Sequence, residues 1–181
     1  SEVERLLREV EKVLRRVVKR SRDLNEELKK RSKEHKETSE RLNREMKRVL
    51  REVEKKIDET RDKETLDRLL REVEEVLKEL KKRHDELLRH NKKVVDELKE
   101  EHKKLLKEAE DALREVKKEL DKRGGVREVK KRLDELLKRL EREVRESEKR
   151  MDRSHEDVRR EAERSKKELE ELLKKLEDKV R

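Results

Sequence analysis

The 181 residues include 60 Lys or Arg and 51 Asp or Glu, for a net charge of +9; 28% are apolar, and Phe, Trp, Tyr, Cys and Pro are absent. The longest apolar run is two residues, far short of the roughly 18 that a membrane span needs, and no secretory hydrophobic region occurs. Without cysteine there is no disulfide, thiolate ligand or thiol nucleophile, and so little apolar content describes a disordered chain unless the apolar residues are phased.

They are phased. Val3, Leu6, Leu7, Val10, Val13, Leu14, Val17 and Val18 lie on one helical stripe, the pattern of a buried helix face. The stripe predicts a first helix over residues 2–60. It breaks after Ile57 and restarts at Leu66, with Asp62 placed to cap the free amides of a second helix over 63–122. A second break, between Leu120 and Val126, holds the only glycines, Gly124 and Gly125, which accept the left-handed backbone that follows a helix end. A third helix is expected over 126–180. At ~1.5 Å per residue each helix is on the order of 85 Å long. Minimal connections make consecutive helices antiparallel neighbours. The expected fold is all-α: an up-down-up antiparallel three-helix bundle of long, nearly straight helices, with residues 1–181 as one domain.

A finer regularity underlies the stripe. Val3, Ser21, Ser39 and Ile57 recur every 18 residues, as do Leu66, His84, His102 and Leu120, and Val129, Ser147 and Ser165. Eighteen residues make about five whole turns, so these side chains return to one face without the drift that forces a supercoil. The three series superimpose at an offset of 63, and Glu4–Glu11 recurs almost verbatim at Asp67–Glu74. One helical unit is used three times with its core identities varied.

Facing residues of antiparallel helices have positions of constant sum. Ser21 with His102 and Ser39 with His84 both sum to 123, while His102 with Ser147 and His84 with Ser165 both sum to 249. Two polar layers follow: His102/Ser21/Ser147 and His84/Ser39/Ser165. A third zone contains Ser32 with Asn91, and His35, Ser154 and His155 also lie in core phase. Asn25 and Asn43 replace Leu7 at the edge of the stripe. His90 and Thr38 match charged residues 18 positions away and are expected outside.

A buried polar group without a partner costs roughly 1–3 kcal/mol, so these residues are expected to satisfy one another. They have two readings. In one, the networks only fix register and helix pairing, because slipped arrangements leave them unpaired. In the other, His35, His84, His102 and His155 sense pH. Burial of neutral imidazole among hydroxyls depresses its folded pKa below the unfolded value of about 6.5. Stability is then present above that value and lost as pH falls. The ceiling is ~1.4 kcal/mol per pH unit for each histidine, on the order of 8 kcal/mol for four by pH 5.

Enzyme chemistry finds no support. H-E-x-x-H and paired Glu-x-x-His are absent, Ser beside His lacks an orienting acid and oxyanion donors, and no Gly-rich phosphate loop exists. No cofactor, metal or small-molecule substrate is expected. The charge is interleaved, as in Glu4–Arg8, Glu11–Arg15 and Glu37–Arg41, and no aromatic can stack on a base; specific nucleic-acid binding is not expected. Nor is membrane binding at neutral pH, although acid-opened helices would expose Leu/Val stripes to a membrane. A soluble monomer is expected, with a homo-oligomer the alternative.

The 18-residue spacing, near-repeated helices, minimal loops, Leu/Val stripe and Glu/Lys/Arg surface resemble de novo designed parametric helical bundles over the whole chain. The layers Ser21/His102/Ser147, Ser39/His84/Ser165 and Ser32/Asn91 with Ser154 and His155 are similar to the buried hydrogen-bond networks of that family. The resemblance implies a non-catalytic protein. For His35, His84, His102 and His155 it further implies a core that comes apart at endosomal pH, in some members permeabilising membranes. A static scaffold, or a subunit of a designed oligomer, is the other outcome that the family allows. Natural spectrin-type repeats share the topology but have shorter helices and a core Trp.

Overall fold

In the computed structural model the chain folds into α1 (Glu2–Glu59), α2 (Lys63–Arg123) and α3 (Arg127–Val180), of 58, 61 and 54 residues. The structure describes residues 2–123 and 127–181, and no strand occurs among them. The glycine cap expected at Gly124 and Gly125, the helix start at Val126 and the side chain of Val3 lie outside the described residues.

The first break in the stripe is a tight turn. The Thr60 amide donates to the Ile57 carbonyl at 3.3 Å, and the Leu66 amide opens the next ladder by donating to the Asp62 carbonyl at 3.1 Å. The Asp62 carboxylate accepts the Thr65 hydroxyl at 2.8 Å. Asp62 thus stands at the helix start, with its side chain bonded within the first turn.

The chain packs as two compact units, each drawing on all three helices: Ser1–Lys30 with Val94–Arg153, and Arg31–Lys93 with Ser154–Arg181. In the first unit, Leu6 and Val10 of α1 meet Leu113, Val116 and Leu120 of α2 and Leu133 of α3. Val17 packs with Ala109 and Leu140, and Leu24 and Leu28 pack with Val94, Val95, Leu98 and Met151. Ascending numbers on α1 meet descending numbers on α2, so the two helices run antiparallel. In the second unit, Leu50 and Ile57 pack with Leu69, Val73, Leu77, Leu80, Leu169 and Leu176. Each fully buried Leu contributes about 1.5–3 kcal/mol, and no large apolar side chain is exposed among the described residues.

Charged side chains line the seams. Lys99–Asp152 and Lys117–Asp134 join α2 to α3 in the first unit, and Lys81–Glu170 and Lys166–Asp85 do so in the second. Lys179 reaches Glu54 on α1 at 2.6 Å. Pairs this exposed contribute little to stability.

Candidate functional site

Besides its apolar core each unit carries a buried polar network. In the first, His102 of α2 is fully buried. Its Nδ1 lies 3.0 Å from the carbonyl of Leu98, one turn back. A carbonyl only accepts, so Nδ1 carries the proton and Nε2 presents a lone pair. Ser21 Oγ of α1 lies 3.0 Å from that nitrogen and donates to it. Ser147 of α3 stands 3.3 Å from the same nitrogen but gives its proton to Asn25 Oδ1 at 2.9 Å. All three helices are tied together, and Asn25 completes the set.

In the second unit the tautomer is reversed. His84 Nε2 lies 3.3 Å from Asn43 Oδ1, an acceptor, so Nε2 carries the proton and Nδ1 the lone pair. The Asn43 amide nitrogen donates to Ser165 Oγ, and Ser165 donates to the Glu161 carbonyl at 3.0 Å. Nearby, Ser32 and Ser154 share a hydroxyl–hydroxyl bond of 2.7 Å. Asn91, 1% exposed, donates to His155 Nδ1 at 2.9 Å. The Nδ1–H of His35 donates to the Arg31 carbonyl at 2.9 Å, and the His35 ring stacks on His90 of α2 with centroids 5.4 Å apart and planes 8° from parallel.

The layer His102/Ser21/Ser147 is therefore brought together as its spacing predicts. The layer His84/Ser39/Ser165 is not: Asn43 stands between His84 and Ser165, and Ser39 bonds to neither. Ser32 pairs with Ser154 rather than Asn91, and Asn91 pairs with His155. The physical reason is interdigitation. Constant sums put Ser147 opposite Ser21, 126 positions away, whereas the polar contacts between α1 and α3 (Asn25–Ser147, Ser32–Ser154, Asn43–Ser165) are 122 apart. A side chain packing against a helix sits between residues one turn apart, so Ser147 settles between Ser21 and Asn25. Asn25 and Asn43 were legible as polar substitutions at the phase of Leu7, but their role was not. His90 is exposed, as expected, and no sequence signal marks its stacking on His35. Thr38 is half-buried and returns its hydroxyl to the Glu34 carbonyl at 2.9 Å, so it takes no part.

Burial pushes the His84 imidazole below its ordinary value of 6.5; the charge of Lys166 on α3 pushes it the same way, and Asp85 opposes both. Four buried side-chain atoms have no protein partner among the described residues: His35 Nε2, Ser39 Oγ, His84 Nδ1 and Asn91 Oδ1. All belong to the second unit. No group of three or more His, Cys, Asp or Glu side chains that could hold a metal ion occurs among the described residues, nor is any helix long and apolar enough to cross a membrane.

No family model matches this chain, and neither does any curated protein. Among solved structures it is similar to a computationally designed three-helix bundle, with a TM-score of 0.63 and 22% identity, covering 99% of this chain and 87% of that one. This likeness shows the fold. The protein is a three-helix bundle. Each unit of the bundle holds a buried network of His, Ser and Asn where other levels carry Leu and Val.

Proposed function

We propose that this chain is a de novo designed, non-catalytic bundle. In this reading its networks specify helix pairing, and protonation of its histidines loosens the core at acidic pH. The designed origin is supported by the 18-residue recurrence, by the threefold reuse of one helical unit and by the likeness to a designed bundle. The pH response rests chiefly on one observation. His84, 1% exposed, presents an unprotonated Nδ1 to the interior with no protein acceptor to receive an added N–H.

The charges around it reinforce this. Lys166 of α3 disfavours a second positive charge, and its partner Asp85 compensates only in part. Lys36 of α1 and Glu161 of α3 flank the same interior space. Elsewhere, Glu156 adjoins His155, and Arg159 lowers its carboxyl chiefly by a hydrogen bond; Glu101, bonded to Arg20, adjoins His102.

The network of the first unit favours the other role. Both ring nitrogens of His102 are bonded, Nδ1 to the Leu98 carbonyl and Nε2 to the Ser21 hydroxyl, with Ser147 at 3.3 Å. That set suits pairing specificity, and the second unit suits acid sensing. Acid-loosened helices would present their Leu/Val stripes to a membrane.

The test replaces His35, His84, His102 and His155 with Asn or Gln and repeats an acid titration by circular dichroism. An acid midpoint lower than the parent's is expected; an unchanged midpoint overturns the pH response and leaves a scaffold. Liposome leakage over the same range tests the membrane step.

A further inference from the structure

Three of the four unpartnered buried atoms belong to residues lining one small cavity. His35 and Ser39 of α1, His84 of α2 and Ala162 of α3 surround a space of about 10 Å³, near the least room that holds one water molecule. The hydrogen-bond roles of the two histidines are fixed by their other bonds. His35 spends its Nδ1–H on the Arg31 carbonyl, so its Nε2 can only accept. His84 spends its Nε2–H on Asn43, so its Nδ1 can only accept. Ser39 keeps a hydroxyl proton to give. Two acceptors and one donor are the complement of a water, which has two protons and two lone pairs.

We propose that this cavity binds one ordered water, which donates to His35 Nε2 and His84 Nδ1 and accepts the hydroxyl proton of Ser39. The water closes an unbroken chain. It runs from the Arg31 carbonyl through His35, the water, His84, Asn43 and Ser165 to the Glu161 carbonyl. Every link then has one donor and one acceptor, and both ends rest on backbone carbonyls. A metal ion fits less well, since two imidazole nitrogens and a neutral hydroxyl fall short of the three strong protein ligands of a typical zinc site. The site does not depend on the pH response: a water bridge serves a static scaffold equally well. Since the water can turn to accept an added N–H, the acid response then rests on the burial of the charge and on the nearby Lys166.

A high-resolution crystal structure of the full chain at neutral pH tests the site directly. One water within about 3.2 Å of all three atoms is expected. A dry cavity, or an anomalous peak from a metal there, overturns the proposal. In solution, the imidazole 15N shifts of the full chain at neutral pH add a second measurement. With the water in place, His35 Nε2 and His84 Nδ1 both show the shift of a hydrogen-bonded acceptor; the value of an unbonded acceptor at either nitrogen overturns the bridge.

Discussion

His84→Leu is the substitution that isolates the acid response. Leu is native to this phase of α2, where Leu66 and Leu120 stand 18 and 36 residues away, so the side chain suits its level. At neutral pH the change removes an interior lone pair that has no protein partner and adds apolar burial, but strands Asn43 Oδ1. These effects oppose each other, at about 1–3 kcal/mol each, and a small net change is expected. The pH dependence is the sharper readout. His84 has a folded pKa below its unfolded value, so below about pH 6.5 the unfolded chain binds a proton that the folded chain refuses. Its stabilising contribution is full above that value and falls with pH until the folded pKa is reached. The slope cannot exceed ~1.4 kcal/mol per pH unit, which sets a ceiling of about 2 kcal/mol between pH 6.5 and pH 5. Two carboxylates with lowered pKa act outside this window. The pKa of Glu54, hydrogen-bonded by Lys179, and that of Glu156, hydrogen-bonded by Arg159, are both held below the ordinary 4.5, so their contributions fade only at lower pH. Urea unfolding across this range should show the variant losing less stability than the parent, by up to about 2 kcal/mol, or about 4–8 °C in melting temperature for a chain of this size. Equal acid losses in parent and variant would refute the assignment of acid sensitivity to His84.

Other outcomes follow from the same geometry. Asn43→Ala and Asn25→Ala should each cost about 1–3 kcal/mol: the first strands the His84 Nε2–H, and the second leaves the Ser147 hydroxyl without its acceptor, the single lone pair of His102 Nε2 being taken by Ser21. Chemical denaturation of both variants measures the losses. Leu80→Ala and Leu120→Ala, both at fully buried positions, should each lose about 2–5 kcal/mol in urea unfolding. Hydrogen exchange at about pH 5.5 should show the second unit's amides on α1 and α2 around His35 and His84 losing protection before those around His102 in the first; simultaneous loss would count against a localised sensor. Lys179→Gln should leave the thermal melt at neutral pH unchanged within error, since its pairs with Glu54 and Asp58 are solvent-exposed.

Much of this was legible in the chain. The stripe and its two interruptions predict three helices, and the described helices end at Glu59, begin again at Lys63 and end at Arg123. Phase also placed His84, His102, Asn91 and Ser147 inside, and His90 outside. It could not assign partners. Ser39 and Ser165 occupy equivalent phases of their helices, yet Ser165 is bonded on both sides and Ser39 to no protein group. The stacking of His35 on His90 was equally hidden, because an exposed histidine at the phase of Glu72 and Glu108 gives no sign that a ring across the seam will meet it.

By itself, then, the sequence determined which residues turn inward. That is a matter of period, and an 18-residue recurrence states it without reference to any neighbour. The tertiary structure decided who meets whom. Packing one helix into the gaps of another moves each contact by up to a turn, and a turn is the distance that brings Asn43 to His84 and leaves Ser39 facing a cavity. The tautomers were decided there as well. His102 and His84 stand 18 residues apart at the same phase of α2, yet one protonates Nδ1 and the other Nε2. A backbone carbonyl holds the first ring and an asparagine oxygen the second, and sequence period does not distinguish these two acceptors.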